Sequence, residues 1–125
     1  MRALIALLVF SFSTGAFAQS DWVSVSQTEQ ATIYLRAASV RPVEASRQAE
    51  VLLDYPKPIN TSVMSVILSI EARCMDRQMR RLKGIAYTAP MGGGEAIEAD
   101  HHAQAWVDVR SGTVEASLLE KLCAP

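Results

Sequence analysis

The sequence predicts an α+β domain in which antiparallel strands precede one C-terminal helix, packed on one sheet face and tied to it by a disulfide. Three observations lead there. Apolar and polar residues alternate with period 2 over most of residues 22–88, the repeat of half-buried strands. After Ser111-Gly112-Thr113 the repeat changes to Val114, Leu118 and Leu122, with Leu119 widening the stripe, which is helical spacing. The only cysteines, Cys74 and Cys123, end the clearest strand and that helix.

Trp22 to Ser26 reads as a first strand, and Glu29 to Leu35 as a second with Ala31, Ile33 and Leu35 on one face and Tyr34 on the other. Gln27-Thr28 is the expected hairpin connection between them. Val43 to Tyr55 alternates over a long stretch, interrupted by Arg47. Its Ala, Glu, Gln and Arg content and the preceding Pro42 would also suit a helix, but the alternation favours a strand. Pro56 and Pro58 are expected to end it, because proline cannot donate to a sheet ladder.

Val63 to Met75 is the most regular strand. Met64, Val66, Leu68, Ile70, Ala72 and Cys74 share one face, and Ser65, Ser69, Glu71 and Arg73 share the other. Asp76-Arg77 is the expected turn into Gln78–Thr88, where Gly84 suggests a bulge or a close approach. Pro90-Met91-Gly92-Gly93-Gly94 breaks regular structure, and the chain to Gln104 reads as polar loop. Trp106 to Val109 is a last short strand. Thr113 is the expected N-cap of the helix, with Glu115 in its first turn.

Compartment and cysteines support each other. Arg2, the apolar run Ala3–Phe12 and Ala16-Phe17-Ala18 have the layout of an export signal cleaved after Ala18. The run is shorter than the roughly 20 residues of a membrane span. Residues 19–125 then form one exported domain, periplasmic or secreted, and Gln19 stands where a lipoprotein needs its lipidated cysteine, so no lipid anchor is expected. An oxidising compartment makes a Cys74–Cys123 bridge the natural reading, with free thiols or an intermolecular link as alternatives. Closing a loop of about 50 residues stabilises a fold by about 4 kcal/mol on the chain-entropy model. For so short a helix, marginal alone in water, that bridge would pin its apolar stripe to the apolar face of the central strand.

The near-neutral charge, −1 over 125 residues, excludes the strongly basic pattern of a nucleic-acid binder. Arg73, Arg77, Arg80, Arg81 and Lys83 make a dense basic group about one turn. Arg73, Arg77, Arg81 and Lys83 are the candidate binding residues for a protein partner, and alternation lets Arg77, Arg81 and Lys83 cluster while Arg80 points away. A solvated sheet edge is the competing reading of the same charges. Asp100-His101-His102, near Glu95 and Glu98, offers metal-ligand residue types but reads as a polar loop, so no metal or cofactor is expected. Trp22 and Trp106 read as core anchors. No phosphate-loop ending follows the glycines and no G-x-S-x-G surrounds a serine, so no catalytic residues are assigned.

In order, the chain carries Trp22, Tyr34, the serine-bearing strand from Ser65 to Cys74, Tyr87, the Gly92–Gly94 turn, Trp106, Ser111-Gly112-Thr113 and Cys123. Together these resemble the surface-adhesin protein E family of Gram-negative bacteria across nearly the whole exported part. The resemblance implies a curved antiparallel sheet of about six strands with the helix on its concave face. It also implies a dimeric surface protein that binds host extracellular-matrix and plasma proteins. The functional expectation is a non-catalytic extracytoplasmic binding or structural domain, dimeric through an open edge strand. The alternative is a periplasmic inhibitor of a secreted hydrolase, of the lysozyme-inhibitor type, inserting the Gly92–Gln104 segment into its target's cleft.

Overall fold

The computed structural model describes residues 21–125; the export-signal reading of residues 1–18 lies outside them. Six strands form the main path of one antiparallel sheet: β1 (Trp22–Gln27), β2 (Thr32–Arg36), β4 (Ser46–Ile59), β5 (Val63–Arg73), β6 (Gln78–Tyr87) and β7 (Ala96–Asp100), neighbours in that order. Two short strands lie off the path: β3 (Arg41–Val43) pairs with β4, and β8 (Val107–Asp108) pairs with β6. One helix, α1 (Val114–Cys123), follows.

Alternation places the core. Ala49 and Val51 of β4 face the same side as Ile70 and Ala72 of β5, and both pairs are buried. Ile33 and Leu35 of β2, Met79 of β6, and Leu118, Leu119 and Leu122 of α1 complete that cluster. The helix begins as its sequence dictates: Thr113 Oγ1 accepts from the Ala116 backbone N–H at 3.1 Å, satisfying a donor of the first turn. Its far end is bound twice. Cys123 is bonded to Cys74 across a separation of 49 residues. Arg47 Nη1 donates to the carbonyls of Leu122 and Ala124 at 3.0 and 2.7 Å. Arg47, the interruption in the alternation of β4, thus lies on the helix-covered face and caps the helix end, where a cation also suits the dipole.

The opposite face has a smaller core. Leu52 is fully buried, and Ser65 beside it donates to the Ala89 carbonyl at 2.7 Å and accepts from the Gly92 N–H at 2.8 Å. These bonds, with Met91 N–H donating to Asp54 Oδ1 at 2.8 Å, hold the 3-10 turn Pro90–Gly92 against the sheet. Gly92 has φ of 73°, and a Cβ there would stand 2.8 Å from Ile67 Cδ1, so turn and close approach both demand glycine.

Several expectations are corrected. The prolines do not end β4, which runs on to Ile59. The β4–β5 register breaks between Asp54 and Ile59, so Pro56 and Pro58 fall where no ladder donor is needed. The first turn is Thr28–Ala31 rather than Gln27-Thr28, closed by Thr28 Oγ1 accepting from the N–H groups of Gln30 and Ala31. The β3–β4 hairpin, turning through Glu44 at φ 55°, has no sequence signal of the Asn-Gly kind. β7 occupies part of the expected polar loop, because Gly94 at φ 72° turns the chain back along β6. The bulge on β6 falls at Arg81–Lys83, opposite Ser69 and Ile70. Gly84 is instead the close approach, where a Cβ would stand 3.1 Å from Leu68 Cδ2.

Candidate functional site

The basic group sits around the β5–β6 turn, and the strand pairing decides what its members do. Glu71 lies opposite Arg80, on the face away from the helix. It is 6% exposed, a carboxylate that requires partners at such burial. Arg80 supplies Nε at 3.1 Å and Nη2 at 2.9 Å to Glu71 Oε1, and Gln48 Nε2 donates to Oε2 at 2.8 Å. Arg41 Nη2 donates to Gln48 Oε1 at 2.8 Å, extending the network to β3.

Trp106, just before β8, lies against this network. The Arg73 guanidinium carbon is 4.0 Å and that of Arg80 4.5 Å from its ring centroid. Such stacking fixes guanidinium groups that would otherwise be rotationally free, at about 0.5–1 kcal/mol per exposed contact. The turn beyond carries Met75, 95% exposed, and Arg77 at φ 52°. Cys74 at its base is fixed by the disulfide. The turn that follows Arg73 thus exposes a bare apolar side chain two residues along the chain from one of the stacked arginines.

Neither tryptophan is a core anchor, contrary to expectation. Trp22 is also half-buried, with the Arg36 guanidinium 4.3 Å from its ring. Trp22 opens the edge strand β1 and Trp106 immediately precedes β8, so both indoles sit at strand ends rather than in the middle of the sheet. Arg36 also pairs with Glu50 and, at 3.4 Å, with Asp21.

The bulge separates residues that simple alternation would join. Arg73 and Arg77 lie at the turn. Arg81, opposite Ile70, falls on the helix-covered face, where its Nη2 is 3.2 Å from Asp100 Oδ2. Lys83, opposite Ser69, falls on the other face. The Asp100 carboxyl is held below the ordinary carboxylate range, first by the His102 N–H, then by the His102 ring, with Arg81 adding to both. Among the described residues no cluster of histidine, cysteine and acidic side chains could hold a metal ion. The Gly92–Gln104 segment does not project as one loop, since Ala96–Asp100 pair with β6.

Sequence reasoning missed Met75 and the Glu71 and Gln48 partners. The turn is Cys74–Arg77 rather than the expected Asp76-Arg77, and this longer turn, which the sequence did not mark, is what sets Glu71 opposite Arg80. Nothing marked Met75, whose exposure depends on how the turn is held.

No significant match was found among curated proteins. Among solved structures, the chain is similar to Haemophilus influenzae protein E in crystal form II, with a TM-score of 0.67 at 12% identity, over 88% of this chain and 92% of that one. A second structure of Haemophilus influenzae protein E aligns with a TM-score of 0.65 at 12% identity, covering 88% and 89%. Protein E from non-typeable Haemophilus influenzae aligns with a TM-score of 0.63 at 11% identity, covering 85% and 77%. At such identity these matches carry the fold. The family model for surface-adhesin protein E matches residues 22–124, nearly everything described. The chain belongs to the surface-adhesin protein E family.

Proposed function

We propose that this protein is an exported, non-catalytic adhesin-like domain that docks a protein partner through the β5–β6 corner. The observation that carries the reading is Trp106 with Arg73 and Arg80 stacked on it, at a corner whose turn exposes Met75. Tryptophan, arginine and methionine are the residue types enriched at protein interfaces, and here the arginines are already ordered, which reduces the entropy lost on binding. The cations at this corner favour an acidic partner surface. Lys83, on the face that also carries Glu71, extends the surface, whereas Arg81 contributes only from the far side of the strand.

No helix among the described residues is long and apolar enough to cross a membrane. The leader-like Met1–Ala18 and the Cys74–Cys123 bridge support a single exported domain over residues 19–125, periplasmic or secreted. The exposed edge strand β1 offers a route to a homodimer.

The test is a binding titration of the purified exported domain on immobilised laminin, vitronectin and plasminogen. Saturable binding that weakens with added salt supports the reading. Absence of saturable binding to all three overturns the adhesin-like role.

A further inference from the structure

The helix does not cover its face of the sheet. Ten residues of helix span about 15 Å, whereas β4 and β5, of 14 and 11 residues, run about twice that or more. The uncovered part is a cleft of about 860 Å³, within the range of small-molecule sites. Its floor is Val51, Leu53, Leu68 and Ile70, and its wall is Val114 and Leu118 of the helix. Leu53, Leu68 and Val114 are only half-buried, so they present apolar surface to the cleft rather than to one another.

Three arginines line it, of which Arg80 is already paired with Glu71. Arg110 is exposed in the loop before the helix. Arg81 stands between this cleft and a smaller hollow of about 220 Å³ over Gly84 and Ala86, and lines both. Its Nη2 meets Asp100, but its Nε is buried and has no hydrogen-bond partner among the described residues, a costly state for a cationic donor. Asp108 and Glu115 also line the cleft; Asp108 already accepts from Gln78. An apolar floor gives a sugar or nucleotide little to bond, and an unsatisfied guanidinium donor disfavours a plain hydrocarbon or a cationic ligand.

From this geometry we propose that the cleft binds an anionic amphiphile, a single acyl chain with a carboxylate head. The chain lies on Leu53, Leu68 and Ile70, and the head accepts from Arg81. The cleft adjoins the β5–β6 corner and shares Trp106 and Arg80 with its edge, but the apolar floor and Arg81 lie on the helix-covered face, so the proposal does not depend on the corner's function.

Trp106 lines the cleft and reports on it. In protein carrying Trp22→Phe, Trp106 emission is titrated with dodecanoate below its aggregation concentration, and with dodecyltrimethylammonium as the opposite head group. The expected result is a saturable change with dodecanoate, at least tenfold weaker binding of the cationic amphiphile, and at least tenfold weaker dodecanoate binding in Arg81→Gln. The head-group comparison needs no cleft variant, so it stands if Arg81→Gln folds poorly by circular dichroism. No saturable change with dodecanoate, equal binding of both head groups, or unchanged dodecanoate binding by folded Arg81→Gln would each overturn the proposal.

Discussion

The two faces of the central strands are built on different physics. The helix-covered face is an apolar cluster closed by a covalent bond and by the arginine cap on the helix end. The other face has one small buried patch at Leu52 and Ser65, and beyond it an array running through Gln48, Glu71, Arg80, Trp106 and Arg73. Burial of the first face scales with apolar area and is insensitive to geometry at the level of single bonds. The second depends on each donor having its acceptor. The difference divides the labour in the proposed reading: one face holds the fold together, and the other arranges the groups proposed to meet a partner.

Substitutions should separate the faces. The largest effect is expected from Cys74→Ser with Cys123→Ser, which removes about 2–5 kcal/mol and undocks the helix; urea unfolding with far-ultraviolet circular dichroism measures it. Leu122→Ala, at a fully buried position on the same face, should cost about 2–5 kcal/mol in the same assay. On the opposite face Ser65→Ala leaves the Ala89 carbonyl and Gly92 N–H without their partner. That should cost about 1–3 kcal/mol and, by amide exchange, loosen the Pro90–Gly92 turn while α1 stays protected. If α1 loosens equally, the faces are not separable.

The smallest expected effect concerns acid. Because the folded-state pKa of Asp100 is depressed, its contribution is present above the ordinary aspartate value of about 3.9 and is lost as pH falls through the lower folded value. Wild type should therefore lose slightly more stability than Asp100→Asn between pH 5 and the onset of acid unfolding, as read by urea midpoints at stepped pH.

The same division explains what could be read in advance. The helix, its Thr113 cap, the alternation of β5 and the pairing of Cys74 with Cys123 were legible, because apolar periodicity records burial directly. Arg47 appeared only as a broken pattern; its role needs the helix end in place, 75 residues later in sequence. β7 was missed because an edge strand with exposed Ala96, Ile97, Glu98 and Ala99 carries no burial signal. The corner was half legible: charge density marked the turn, but a bulge between Arg81 and Lys83 shifted one against the other, and no periodicity encodes it. Trp106 was misplaced for a related reason, since composition favours burying an indole and only the fold reveals two arginines against it.

The most direct test is the affinity of Trp106→Ala for those of laminin, vitronectin and plasminogen that bind wild type, read against its unfolding free energy. Removing the ring strips the stacking surface from Arg73 and Arg80 but nothing from the apolar cluster. Binding at least tenfold weaker, with stability within about 1 kcal/mol of wild type, is the predicted result. Undiminished binding, or a loss of stability as large as that of Leu122→Ala, would contradict the separation of the two faces.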